Sequence, residues 1–342
     1  MIIDVHGHYT MAPPQLDAYR GRQLSSLNRP HRRALAVSRD TVAESLQEPL
    51  RQMDERGIDV VLMSPRAAGM GHDIGDGRLS RYWTEVNNDL IRLVADLAPG
   101  RFVPVCQLPQ SPDTTPVAWI DELRRCADMG FVGCLVNPDI SGGLPPFTPP
   151  LGDRWWYPLW EAVVELGFTV MIHASATRNP SFHLNGSHYI AQHYAATVEL
   201  CSSRIFKDFP TLRIVVPHGG GGIVFNLNRH RSLHRLDGLD DFDEALSRLY
   251  LDTAVYDQDS LAMMLTKLDR SRILYAAEMF GTAKAINPET GRSYDDNLPL
   301  LRAAAREADL SDVLWRNALA AFPLLARHLP PGRTSGEDHD DG

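Results

Sequence analysis

Eight short runs rich in apolar and β-branched residues punctuate the chain: Ile2–Val5, Asp59–Met63, Phe102–Gln107, Val132–Asn137, Thr169–His173, Arg213–Pro217, Leu249–Asp252 and Ile273–Ala276. Several are continuous Val/Ile/Leu stretches, the pattern of parallel strands buried on both faces. Between them the apolar spacing becomes helical, over Thr41–Arg56, Tyr82–Leu97, Val117–Asp128, Trp156–Leu166, Ala196–Asp208 and Ser260–Leu268. Strand alternating with helix predicts a parallel α/β sheet, and eight repeats predict its closure into a (β/α)8 TIM barrel, with an open doubly wound sheet as the alternative. Residues Tyr9–Asp40 read as an insertion after the first strand, with weak helix signals and many arginines. Asn137–Pro150, rich in proline and glycine, reads as a long loop after the fourth strand. No linker interrupts the pattern, so residues 1–329 are expected to form one barrel domain, followed by a disordered Pro, Gly, Ser and acidic tail over 330–342.

A length of 342 residues suits either two average domains or one large barrel, and the repeat pattern decides for the barrel. The net charge of −9, with no basic run, argues against a nucleic-acid surface but not against local sites for small anions. Cys106, Cys126, Cys134 and Cys201 form no C-x-x-C pair. Cys106 and Cys134 sit in strand-like runs, as buried thiols do, and a disulfide framework is not expected. No stretch approaches the roughly 20 apolar residues of a membrane span, and the opening Met1–His6 lacks the charged and apolar regions of a secretory leader. The expectation is a cytoplasmic protein without membrane or nucleic-acid partners. A homo-oligomer is compatible with a barrel enzyme, and no surface pattern sets a subunit number.

The histidines change the picture from fold to chemistry. His6 and His8 follow the first strand at i, i+2, a spacing that puts both imidazoles on one face of an extended chain. His173 ends the fifth strand, His218 ends the sixth, and Glu278 lies just past the eighth. All fall at C-terminal strand ends, the face on which barrel enzymes assemble their active sites. A single strand-end histidine is ordinarily a hydrogen-bonded core residue. The conjunction of H-x-H, two further strand-end histidines and a carboxylate points instead to one divalent metal, zinc first, with manganese or iron as alternatives. Gly219–Gly222 lacks the spacing and Lys-Ser/Thr ending of a phosphate loop, and reads as a tight turn that lets the backbone pass under His218. Trp155, Trp156 and Tyr157 open a helix pattern and read as packing.

Asp4-Val5-His6-Gly7-His8, Ile172-His173 and Pro217-His218 followed by Gly219–Gly222 resemble the amidohydrolase superfamily, in the branch that contains aminocarboxymuconate-semialdehyde decarboxylase and γ-resorcylate decarboxylase. That branch usually carries an Asp after strand eight, where this chain has Glu278 in Ala276-Ala277-Glu278-Met279-Phe280-Gly281. With a Glu there, and with the strings Ser64–Ala67, Leu108–Pro112, Asn137–Asp139, Ser141–Gly143 and Phe206–Pro210, the chain is similar to the 4-oxalomesaconate hydratases of the protocatechuate 4,5-cleavage pathway.

The resemblance implies a polycarboxylate substrate and addition of water across a carbon–carbon double bond, giving 4-carboxy-4-hydroxy-2-oxoadipate. It implies His6, His8, His173 and Glu278 as metal ligands, with Glu278 also the base that takes a proton from water. His218 can ligate metal or act as acid/base at this position, and acid/base is the favoured role. Carboxylates call for cations and hydrogen-bond donors. Arg66 after strand two is the first candidate, then Lys284, Asn137 at the end of strand four, and His72. Asn179, His183, His188 and Tyr194 are placed in a polar, aromatic loop after strand five that shapes the pocket. The rival readings are a decarboxylase with the same ligands, a hydrolase whose water attacks a carbonyl, and a non-catalytic metal-binding protein.

Overall fold

The computed structural model describes residues 1–330 apart from 176, 180–185, 282 and 307. His183 and the tail from 331, both named above, lie outside the described residues. The strands are β1 (Ile3–Tyr9), β2 (Val60–Pro65), β3 (Phe102–Pro104, resuming at Cys106–Gln107), β4 (Gly133–Val136), β5 (Thr169–Ile172), β6 (Arg213–Val216), β7 (Tyr250–Asp252) and β8 (Ile273–Leu274). Each pairs in parallel with the next. Val105 N donates to Met63 O at 2.9 Å and carries the ladder across the interruption in β3. Val5 N donates to Tyr275 O at 3.1 Å and joins the first strand to the last. The sheet is therefore closed, as the eight-fold repeat predicts, and no open edge is left between β1 and β8.

Alternation along the strands sorts their side chains into two cores. Ile3, Val5, Val60, Leu62, Met171 and Val215 belong to an inner cluster, whereas Val61, Met63, Val170, Ile172, Ile214 and Val216 pack outward against the helices. This is why the strands read as uninterrupted apolar runs. Asn317–Ala321 and Pro323–His328 join the inner cluster, and Thr169 Oγ1 donates to Ala321 O at 2.5 Å, so the C-terminal segment plugs the end of the barrel where the strands begin.

Several boundaries differ from the sequence expectation. The predicted helix Thr41–Arg56 is two helices, α2 (Arg39–Ser45) and α3 (Gln47–Arg56), separated at Leu46. The segment read as an insertion begins only after Tyr9, which is still in β1, and carries α1 (Pro14–Leu24). The largest change follows β5. The helix predicted over Ala196–Asp208 is replaced by a longer one, Ser187–Cys201, and a short turn of helix at Ile205–Asp208, so His188 and Tyr194 are helical rather than in a loop. Its buried stripe is His193, Ala196, Thr197, Leu200 and Cys201. The spacing is helical, but two of the five positions are polar, and an apolar-periodicity reading passes over them. The helix Leu227–Leu236, rich in Arg and His, escaped for the same reason.

Four free cysteines are all buried, with Cys106 paired across the sheet to Cys134. Trp156 is fully buried, stacked on Trp160 at 5.7 Å, so the tryptophans are packing residues as expected.

Candidate metal centre

The site begins with an irregularity in β1. Between Asp4 and Gly7 the register against β2 shifts. A bulge of this kind reverses which side chains face inward. Ile3 and Val5 point into the barrel before it, and His6 and His8 point into the mouth after it. The two histidines thus lie within the strand, not beyond it. His173 follows β5 directly, and Glu278 sits in a tight turn past β8 at φ 53, closed by Gly281 N donating to Glu278 O at 2.8 Å.

These elements bring His6, His8, His173 and Glu278 together, all buried, with one ligand atom from each lying within 4.8 Å of the others. The Nε2 atoms of His6 and His8 are 3.1 Å apart, as are those of His8 and His173. The far side of each ring explains this convergence. His6 Nδ1 donates to Asp252 Oδ2 at 2.9 Å. His8 Nδ1 donates to Ser64 Oγ at 2.9 Å, because the serine's own proton goes to Gly7 O. His173 Nδ1 donates to Ala174 O at 2.8 Å. With the Nδ1 positions protonated, three Nε2 lone pairs face one small space beside a carboxylate. Such a set of donors repels itself unless a cation lies among them, and outer partners that hold imidazoles in this tautomer are a property of metal sites. The residues therefore fit a divalent ion.

Burial disfavours the charged form of all three rings. It pushes His8 down to about 3 and His173 well below the ordinary range, while in His6 burial, the largest single influence, is outweighed by the Asp252 bond together with the charges of Asp252, Glu278 and Asp4, which raise the pKa. Burial also works to raise Glu278, but the neighbouring His218, His6 and His8, with the Tyr256 hydroxyl donating to Oε2 at 2.7 Å, hold it below its usual value. Glu278 is a carboxylate at neutral pH.

His218 stands at the rim, its ring centroid 5.3 Å from that of His6. Its backbone N donates to Asp252 Oδ1 at 2.7 Å and its Nδ1 to Ala254 O at 3.1 Å, and Nε2 has no hydrogen-bond partner among the described residues, although the ring is not among those that line the cavity over the cluster. The tight turn expected after it is a left-handed helical turn: φ is 55, 60, 64, 66 and 79 from His218 to Gly222. Left-handed helix costs an L-residue roughly 1–2 kcal/mol per position, so four successive glycines are what makes the turn affordable.

A cavity of about 290 Å³ opens over the cluster, lined by His8, His173 and Glu278 and, at its mouth, by Arg66, Lys284 and Tyr189. Among the described residues neither Arg66 nor Lys284 has a carboxylate partner. The other expected contacts do not line it. Asn137 is buried in its own loop, with Nδ2 donating to Asp139 O at 2.8 Å. His72 is buried against Gln110 O, and burial pushes it down to about 4. Tyr194 faces His230, Oη to Nε2 2.5 Å, and Asn179 packs on the loop at Gly143. Three residues that hold the cluster in place, Asp252, Ser64 and Tyr256, are not among the site residues the sequence predicts, Ser64 appearing there only within the string Ser64–Ala67. Asp252 carries a positional signal, as the last residue of a predicted strand.

Imidazoles and a carboxylate gathered at one end of a closed parallel barrel define a metal-dependent enzyme of the amidohydrolase type. The chain belongs to the amidohydrolase family, whose profile matches residues 3–324. It is 38% identical over 340 residues to 2-keto-4-carboxy-3-hexenedioate hydratase of Sphingobium sp. strain SYK-6, covering 96% of this chain and 98% of that one. The crystal structure of 4-oxalomesaconate hydratase from Rhodopseudomonas palustris superposes with a TM-score of 0.87 at 35% identity, covering 96% of this chain and 97% of the other. γ-Resorcylate decarboxylase of Polaromonas sp. is 28% identical over 201 residues, 54% of this chain and 59% of that one. No helix among the described residues is long and apolar enough to cross a membrane.

Proposed function

We propose that the protein is a hydro-lyase that adds water to 2-keto-4-carboxy-3-hexenedioate, the double-bond isomer of 4-oxalomesaconate whose alkene lies between C3 and C4, in the catabolism of protocatechuate by ring cleavage. The observation that carries the reading is one cavity lined both by His8, His173 and Glu278 of the cluster and by Arg66 and Lys284, which have no carboxylate partner among the described residues. The substrate carries three carboxylates and an alkene conjugated to a ketone. Its C4 is electron-poor, so hydroxide adds there and a proton is delivered to C3.

A divalent ion held by His6, His8, His173 and Glu278, which we assign as zinc from the donor set, supplies a positive charge that lowers the pKa of water toward neutrality. Glu278, ionised and lodged beside the cavity, accepts the proton that water gives up. His218 presents Nε2 as the group that carries a proton to C3 or to the enolate oxygen, since Nδ1 is committed to Ala254 O. Arg66 and Lys284 pair with carboxylates at the mouth, Arg66 by the two-pronged geometry of guanidinium. Tyr189, whose ring lies beside His173, adds a hydroxyl to the same wall.

The test is to incubate the metal-analysed protein with 2-keto-4-carboxy-3-hexenedioate, following loss of the conjugated chromophore and the product mass. Gain of one water, abolished by chelation and restored by metal, is expected. Release of CO₂ would move the reaction to the decarboxylases, and no turnover with stoichiometric metal would reject this substrate. Arg66→Ala is expected to raise KM about 10- to 100-fold, the equivalent of one charge-assisted hydrogen-bonded pair, with metal content unchanged. An unchanged KM in steady-state kinetics removes Arg66 from the binding site.

A further inference from the structure

The residue that links the glycine turn to the metal cluster is His193, which takes no part in either. It lies on the helix Ser187–Cys201 and is fully buried. Its Nε2 accepts the backbone N–H of Ala174, the residue after the ligand His173, at 3.0 Å. Because a backbone nitrogen can only donate, the ring proton of His193 sits on Nδ1 and the imidazole is neutral. One face of that ring stacks on His218, with centroids 5.2 Å apart and planes 20° from parallel, and it meets His173 edge-on at 5.3 Å.

The helix that carries His193 is also the surface on which the turn rests. Thr197 Oγ1 lies 3.1 Å from Gly220 O. A Cβ built on Gly221 would fall 2.2 Å from Tyr194 N and 2.5 Å from Ile190 O, so at this point the turn and the helix backbone are in direct contact. Residues 190, 193, 194 and 197 share one side of the helix, and the stack and the docking contacts are parts of one interface. His218 itself is tethered at its backbone N and at Nδ1, and both tethers lie on the β7 side, at Asp252 and Ala254. They leave the ring free to tilt about the tethered edge, and the face of His193 is what closes that freedom.

We propose that His193 is a positioning residue: a buried neutral ring whose face sets the plane of His218 beside the metal ligand His173. It rests on His218 being the proton donor of the reaction above. The need for a flat ring is separable from the need for an acceptor. His193→Phe keeps the face and loses the bond to Ala174, and Nδ1 has no protein partner among the described residues to lose. His193→Gln keeps an acceptor and loses the face.

Both variants of the full chain, loaded with zinc, are compared by kcat and KM, metal content, thermal melting and the ¹³C–¹H signal of the His218 ring. The Gln variant is expected to lose about 10- to 100-fold in kcat, the cost of a misplaced reacting group, with KM and metal content unchanged. Its His218 signal is expected to move as the stacked ring is removed. The Phe variant is expected to recover most of the kcat and to keep the His218 ring in place. Equal losses in Phe and Gln, loss of metal in Gln, or wild-type kcat in Gln would each overturn the proposal. If the Gln variant does not fold, Gly221→Ala, which displaces the turn from the helix, must show the same fall in kcat at constant KM, and an unchanged kcat there overturns the proposal too. Should the wild-type protein fail to hydrate the tricarboxylate, the functional reading is lost, while the His218 signal still decides whether His193 sets the ring.

Discussion

Glu278→Gln is expected to lower kcat by about 10²- to 10⁴-fold, the range that a general base contributes, while the protein still folds. Glutamine preserves the length of the side chain and can still accept the Tyr256 hydroxyl that lies 2.7 Å from Oε2. What it removes is charge and basicity. Metal analysis of the same sample separates the two roles assigned to this residue. Metal retained with kcat lost identifies the proton acceptor, and metal lost in parallel identifies the ligand. An active Gln variant would remove Glu278 from the chemistry. The backbone keeps the comparison clean, because Glu278 is held at φ 53 by the turn to Gly281 and that turn is indifferent to the change from carboxylate to amide.

The same geometry shows what a linear reading can and cannot find. The strands were legible because burial on both faces leaves Val/Ile/Leu runs with no polar alternation, as in Ile214–Val216. His6, His8, His173 and Glu278 were legible because each is a chemically marked residue at a strand end, and barrel topology carries strand ends to one rim. The bulge that aims His6 and His8 was not, since the shift between Asp4 and Gly7 depends on pairing with β2 and on Asp4 Oδ1 capping His6 N at 2.9 Å. Substrate contacts were read least well. Asn137 and His72 have the right chemistry and the right neighbourhood, but their polar atoms are used by Asp139 and Gln110. Arg66 and Lys284 line the cavity and have no carboxylate partner among the described residues. Spacing along a chain gives position, and which polar atoms stay free is settled by loops folding on one another. Asp252 escaped for a related reason: one acidic residue at a strand end carries no mark of the two histidines it will serve.

Asp252 is where the second large effect is expected. It is fully buried, and its two oxygens hold the two sides of the site. Oδ2 accepts His6 Nδ1 at 2.9 Å, and Oδ1 accepts the backbone N–H of His218 at 2.7 Å and of Ala254 at 3.1 Å. Burial alone would raise its pKa, but the bond to His6 and the charges of His6 and His218 bring it below the ordinary value, so it is ionised throughout the neutral range. Asp252→Ala strands those donors without water and is expected to cost about 3–5 kcal/mol of stability, seen as a lower melting temperature, together with loss of metal. Asp252→Asn separates fold from function. An amide can still accept from His218 N and Ala254 N with its oxygen, but it then turns its NH₂ toward His6 Nδ1. Two donors cannot face each other, so His6 shifts its proton to Nε2, the atom that must bind metal. The Asn variant is therefore expected to melt close to wild type and to bind metal about 10- to 100-fold more weakly, as loss of an outer partner of a metal-bound histidine does. Titration with a chelator reads the affinity. Unchanged affinity in the Asn variant would mean that Asp252 holds the backbone of His218 alone and does not set the tautomer of His6.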